Sequence, residues 1–142
     1  MFMLTQLLQS LGDYQEWSLL LLRLVVALIF LAHGYPKIKN LRQNGENFGM
    51  MGFRPGMFWG TLVAVLEFFG GVALLLGFAV QVVGAFFAIQ MLVATCWKMR
   101  RGQGLVSGYE LDLLLVAACL VLATFGAGAV SLDAYLAGFA GY

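Results

Sequence analysis

The stretch WSLLLLRLVVALIFLAHGY at residues 17–35 is long and apolar enough to cross a lipid bilayer, and it decides the fold class. A membrane-crossing helix needs about 20 mostly apolar residues, because each adds about 1.5 Å of rise against a hydrocarbon core about 30 Å thick. Three further stretches qualify, at residues 57–77, 80–97 and 108–125. Open strands cannot replace them, because unpaired backbone groups are very costly in hydrocarbon. The sequence therefore predicts an all-α integral membrane four-helix bundle, as a single domain over residues 1–142.

The composition supports a bilayer as the natural solvent of this chain. Hydrophobic residues make up 62% of the sequence and charged residues only 11%, far from the balance of soluble domains. The net charge is near zero and the cations form no broad basic face, so we expect no nucleic-acid partner. Asp13 and Glu16 precede the first apolar stretch where a cleaved signal peptide would have a basic cluster, so we expect this stretch to remain as a span.

The positions of the cations predict the orientation in the membrane. The first and third connections between spans carry all the Lys and Arg outside the helices: Lys37, Lys39, Arg42, Arg54, Lys98, Arg100 and Arg101. Cytoplasmic loops are enriched in these residues. Both connections are therefore predicted to face the cytoplasm, which places both termini on the non-cytoplasmic side.

Two segments outside the spans have patterns of their own. A helical spacing places Leu4, Leu7, Leu8 and Leu11 on one face, which is typical of a short interfacial helix and equally of an ordered turn packed on the bundle. The glycine-rich segment 36–56 lies between the first two spans and contains both prolines, Pro36 and Pro55. We expect it to fold back onto the cytoplasmic face of the membrane, and we expect no proline within a span.

Three polar residues lie deep in the predicted spans, well away from the predicted cytoplasmic edge: Arg23, Glu67 and Gln90. Ionisable groups at membrane depth cost at least a few kcal/mol, so each needs a partner or a function. Counting residues from the span ends puts Glu67 and Gln90 near the midplane and Arg23 within reach of them, which predicts an Arg23–Glu67 ion pair. This pair is either a lock on helix register or a site for a ligand or proton. For Gln90 a helix-to-helix hydrogen bond is favoured over a ligand contact.

A second polar set is predicted at the cytoplasmic edge: His33, Lys37, Lys98, Glu110 and Asp112. With a single histidine, the chain cannot build a metal site from several imidazoles, and no metal site or catalytic residue is assigned. A structural role is favoured for His33 over a catalytic one. Glu110 and Asp112 are two residues apart and cannot share a helix face, so one should point outward.

Four segments together resemble one known family: LLLRLVVALIFLAHGYPKI at 20–38, LEFFGGVALLLG at 66–77, YELDLLLVAACLVL at 109–122 and GAGAVSLD at 126–133. In order and spacing they are similar to the DoxX family of membrane proteins. The resemblance implies a four-helix membrane bundle in a bacterial-type inner membrane. It marks as family positions Arg23, His33, Lys37, Glu67, Glu110 and the final turn with Ser131 and Asp133. Ala127 departs from the family, since many relatives have proline there, which leaves the shape of that turn open.

The family implies several functions. Similar proteins include a membrane subunit of thiosulfate:quinone oxidoreductase, membrane partners of thiol and oxidative-stress systems, and distant assembly chaperones. The first hypothesis is a redox-associated subunit, quinone- or thiol-linked, with a bound quinone or lipid contacted by Arg23 and Glu67. The second is a non-enzymatic accessory protein that binds another membrane subunit or a second copy of itself through a surface containing Gly56 and Gly60. A proton or small-solute transporter is the third, although no helix is visibly broken near the midplane. Any enzymatic role would be at most that of a membrane subunit of an oxidoreductase.

Overall fold

The computed structural model describes residues 1–140, apart from the side chains of residues 7–9 and 11. Its helices are α1 (Phe2–Gly12), α2 (Gln15–Lys39), α3 (Leu41–Met50), α4 (Gly56–Leu76), α5 (Val80–Arg100), α6 (Glu110–Phe125) and α7 (Leu132–Ala140). Four stretches are long and apolar enough to span a membrane, namely α2, α4, α5 and the segment Leu105–Phe125 that contains α6. The predicted all-helical fold with four membrane-spanning helices is confirmed.

The two ends of the bundle differ in what they carry. We call the end where α2 begins and α6 ends the terminal face, and the opposite end, with α3, the loop face. At the terminal face, Glu16 Oε2 accepts a hydrogen bond from the Ala129 amide at 2.7 Å, so the segments before α2 and after α6 meet there. The side of the cell that each face contacts stays a prediction from the cations.

The spans form two closely packed pairs, α2 with α4 and α5 with α6. Glycines permit the close approach within each pair. A Cβ placed on Gly34 of α2 would lie 2.6 Å from the α4 backbone, and one on Gly84 of α5 would lie 2.9 Å from the α6 backbone. The pairs meet along a seam, where Phe30 stacks on Phe87 with ring centroids 3.6 Å apart. The seam is therefore filled by side chains at this level.

A tight turn joins α4 to α5, as the sequence predicted. Gly77 ends α4 with φ 71°, a conformation that glycine adopts at little cost. Ala79 also has a positive φ, at 49°, and the amides of Ala79 and Val80 donate to the two carboxylate oxygens of Asp133, at 2.8 and 3.0 Å. Asp133 thus caps the start of α5 from the segment that follows α6.

Helix α3 packs on the first two turns of α4 through glycines on both helices. A Cβ on Gly60 would lie 2.8 Å from the Gly45 Cα, and one on Gly56 would lie 2.8 Å from the Gly49 Cα. Asn44 Nδ2 also donates to the Gly60 carbonyl at 2.6 Å. The hypothesis that Gly56 and Gly60 present a surface to another subunit is therefore wrong, because α3 of the same chain covers them.

The end of α2 and the N-terminal segment differ from, or add to, what the sequence predicted. Helix α2 continues through Pro36 to Lys39, so the prediction that Pro36 lies in the connection is wrong. Pro36 removes one amide donor from the last turn, and Gly34 and Lys37 on either side of it contact α4. The N-terminal segment is helical, but Leu7, Leu8 and Leu11 of its predicted apolar face lie outside the described side chains. Its place at the membrane interface stays a prediction, as does that of the segment 36–56.

Candidate functional site

Glu67 is the centre of a polar cluster in the middle of the bundle. It is the twelfth residue of the 21-residue helix α4 and only 3% exposed. Lys37 Nζ lies 2.8 Å from Glu67 Oε1 and 2.7 Å from Oε2, and Gln90 Nε2 donates to Oε1 at 2.6 Å. Three spans therefore meet at one carboxylate: α2 supplies the cation, α4 the anion and α5 the amide.

The backbone around Gly34 brings Lys37 to Glu67. A Cβ on Gly34 would lie 2.9 Å from the Glu67 Cβ, so α2 and α4 touch at this level. Lys37 follows Gly34 by three residues, about one helical turn closer to the loop face, and its long side chain extends back to the carboxylate. Its side chain is 28% exposed while that of Glu67 is 4% exposed. The carboxylate is thus enclosed, and its cation can still be reached from outside.

The cluster lies on the seam between the two helix pairs. The predicted helix-to-helix hydrogen bond of Gln90 is confirmed by its contact with Glu67. The other amide atom, Gln90 Oε1, is buried and has no hydrogen-bond partner among the described residues. One turn towards the terminal face, the stacked rings of Phe30 and Phe87 close the seam. The seam is therefore closed between the cluster and the terminal face, whereas Lys37 is partly exposed on the opposite side of the cluster.

The predicted Arg23–Glu67 ion pair is wrong. The Arg23 guanidinium donates to the backbone carbonyls of Ala127 and Val130, the latter at 2.8 Å. It lies at the terminal face, where a Cβ on Gly77 would be 2.8 Å from Arg23 Nη1. Gly77 follows Glu67 by ten residues, about 15 Å along α4. A single pocket with Arg23 and Glu67 as joint polar contacts is therefore excluded by this geometry.

Arg23 and Asp133 instead hold the turn after α6 against the rest of the bundle. Arg23 is 2% exposed, and its Nε has no partner among the described residues. Ser131 Oγ donates to the Gly128 carbonyl at 2.6 Å and accepts from the Ala134 amide at 3.1 Å, so it caps the start of α7. The family resemblance marked Arg23, Ser131 and Asp133 but did not indicate their contacts. The contact of Glu16 with this turn was not predicted.

The predicted edge cluster is divided in the structure. Lys98 pairs with Asp112 at 2.7 Å, whereas Lys37 pairs with Glu67. Glu110 is exposed and accepts a hydrogen bond from the Ser107 amide at 3.1 Å, so it is the carboxylate that points outward. His33 is exposed and makes none of these contacts among the described residues. The five residues therefore do not form one site.

Comparison with known proteins agrees with this fold. The sequence model of the DoxX family matches residues 18–100, which is more than half of the chain. The chain belongs to the DoxX family. The matched part of this DoxX protein runs from the start of α2 to the end of α5, so it includes the whole Lys37, Glu67 and Gln90 cluster. Asp112 and the turn with Asp133 lie beyond it.

Two curated relatives cover most of this DoxX protein. It is 29% identical over 121 residues to a Bacillus subtilis protein named "Putative oxidoreductase CatD", covering 85% of this chain and 88% of the relative. It is 31% identical over 124 residues to the Escherichia coli protein named "Inner membrane protein YqjF", covering 86% of this chain and 94% of the relative. No solved structure matches this DoxX chain.

Proposed function

We propose that this protein is the membrane subunit of an oxidoreductase, and that the cluster of Lys37, Glu67 and Gln90 binds the polar head of a quinone. The observation that carries the proposal is a buried carboxylate at the middle of the spans, held by one cation and one amide that both retain hydrogen-bonding capacity. The name of the CatD relative also supports a redox role. A partner protein would supply the electrons.

The free hydrogen-bonding capacity suits both redox states of a quinone. A lysine ammonium has three donors, and the two Glu67 oxygens occupy two of them, which leaves one donor for a quinone carbonyl. A hydroquinone is a donor, and Gln90 Oε1 is an acceptor without a partner in the described part of the chain. Reduction to the hydroquinone consumes two electrons, which the partner would supply, and two protons, which can reach the quinone oxygen from the partly exposed side at Lys37. The apolar spans provide the surroundings that an isoprenoid tail requires.

Quinone titration of the purified protein in detergent, followed by tryptophan fluorescence, tests this proposal. Lys37→Met removes the proposed donor, and we expect the affinity for a short-chain ubiquinone to fall at least about tenfold, which is the usual size of a lost hydrogen bond to a charged group. Asp112→Asn is the matched control, because Asp112 forms a similar ion pair with Lys98 away from the cluster. Unsaturable binding to the unmodified protein, or an equal loss in both variants, would disprove the proposal.

A second candidate is a non-enzymatic accessory protein for another membrane subunit. It is favoured by the internal contacts of Arg23, whose guanidinium donates to the Ala127 and Val130 carbonyls and so fastens the fold. Native mass spectrometry of membranes extracted without detergent distinguishes the two candidates. A stoichiometric companion chain without quinone supports the accessory role, whereas retained quinone supports the redox role.

A further inference from the structure

Charge is distributed unevenly between the two faces of the bundle. All Lys and Arg residues except Arg23 lie at or near the loop face. Three of them have carboxylate partners, in the pairs Lys37–Glu67, Arg42–Glu46 and Lys98–Asp112. Among residues 1–140 the other four have no carboxylate within ion-pair distance: Lys39, Arg54, Arg100 and Arg101. We call these four residues the basic rim.

Aromatic side chains fix parts of the basic rim at the ends of the spans. Trp97 Nε1 donates to the Met51 carbonyl at 3.0 Å, which ties the end of α5 to the connection that carries Arg54. The Arg101 guanidinium lies 4.8 Å from the centre of the Trp97 ring. On the other side of the bundle, Lys39 Nζ lies 4.5 Å from the centre of the Tyr35 ring. Tryptophan and tyrosine at the ends of spans are typical of the level of lipid headgroups.

We propose that the basic rim binds the phosphates of anionic glycerophospholipids around the ends of the spans. The charges are complementary, and the site lies at the ends of helices that are surrounded by lipid. Glu46 is paired with Arg42 and Asp112 with Lys98, and Glu110 accepts from the Ser107 amide, so none of the three is the ion-pair partner of a rim cation. Each cation near an anionic membrane surface strengthens binding about fivefold. Arg54 and Arg101 are the two residues that we expect to contribute most, since Trp97 contacts the Arg101 guanidinium and also holds the Met51 carbonyl, three residues before Arg54.

The test compares phosphatidylglycerol with phosphatidylcholine, which has no net charge. The protein in mild detergent is titrated with each lipid, and bound lipid is counted by native mass spectrometry while the melting temperature is followed in parallel. We expect tighter binding and a larger rise in melting temperature with phosphatidylglycerol. The difference should shrink in about 1 M sodium chloride, where the Debye length is about 3 Å. Equal responses to the two lipids would overturn the proposal.

Two variants locate the site on the basic rim. The double variant Arg54→Gln/Arg101→Gln should weaken phosphatidylglycerol binding by roughly tenfold or more. Arg42→Gln is the matched control, because Arg42 is on the same face but already has Glu46 as its partner. A loss of the same size in Arg42→Gln would overturn the assignment to the rim. Stabilisation by inorganic phosphate equal to that by the lipid would overturn the assignment to a lipid.

Discussion

Lys37 and Glu67 are 30 residues apart in the sequence, yet the Lys37 ammonium lies within 2.8 Å of both carboxylate oxygens of Glu67. The pair joins the end of α2 to the middle of α4. Glu67 is enclosed and Lys37 is partly exposed, so the loss of the partner has a different consequence for each residue. An unpaired lysine can turn towards the loop face, whereas an unpaired carboxylate remains buried.

This asymmetry predicts that Lys37→Met destabilises the protein more than Glu67→Gln. Removal of the cation leaves a buried anion with the Gln90 amide as its remaining partner, and we expect a loss of about 3 kcal/mol in the free energy of unfolding. Glutamine at position 67 preserves the shape and one hydrogen bond, and we expect a loss of about 1–2 kcal/mol. Unfolding by sodium dodecyl sulfate in mixed micelles measures both values.

The double variant Lys37→Met/Glu67→Gln should lose less stability than the sum of the two single variants. We expect a coupling energy of about 1–3 kcal/mol between the two positions. Arg42 and Glu46 provide the matched control, because their side chains are 87% and 53% exposed and such pairs couple by about 0.5 kcal/mol or less. A coupling as small as that of this exposed pair would contradict the central role of Lys37–Glu67.

Arg23 is predicted to be energetically independent of Glu67. Arg23→Met leaves two backbone carbonyls without their donor, and we expect a loss of about 1–3 kcal/mol together with faster hydrogen exchange at residues 126–134. In a double-mutant cycle with Glu67→Gln the two effects should add within about 0.5 kcal/mol. A clearly larger coupling would show that the two groups interact after all.

The number of spans and their approximate bounds could be predicted from the sequence, because hydrocarbon thickness fixes the length of an apolar helix. The partner of Glu67 could not be predicted from the sequence. Counting depth along straight helices placed Arg23 close to Glu67 and placed Lys37 at the cytoplasmic edge, beyond Pro36. The structure differs because α2 continues to Lys39 and because lysine extends back along the helix.

The role of Arg23 was also beyond sequence reasoning. A buried guanidinium does not require an anion when backbone carbonyls of an irregular turn are available as acceptors, and nothing in a sequence shows where such carbonyls point. The signals present were the glycines of the turn after α6 and the Ser131 and Asp133 positions. They indicated a fixed turn but gave no sign of what it contacts.

The topology predicts that the two faces can be labelled from opposite sides of the membrane. In a background with Cys96→Ser and Cys119→Ala, a membrane-impermeant maleimide should label Asp13→Cys in intact spheroplasts. Gln103→Cys, at the loop face, should be labelled only after permeabilisation, because the positive-inside rule places that face in the cytoplasm. Labelling of both positions from the same side would contradict the three crossings, α2, α4 and α5, that separate them.

The packing of α3 on α4 can be tested with two alanine substitutions one turn apart. In Gly45→Ala the new Cβ would lie 2.9 Å from the Met57 Cα, so α3 must move away and the hydrogen bond from Asn44 to the Gly60 carbonyl is strained. We expect a loss of about 1–3 kcal/mol and faster hydrogen exchange over residues 41–50. In Gly49→Ala the Cβ meets nothing within 4 Å, and alanine is a better helix former by about 0.5–1 kcal/mol, so this variant should be neutral or slightly more stable. Because both substitutions add the same methyl group to the same helix, a difference between them reports contact with α4 alone, and equal effects would mean that α3 does not rest on α4.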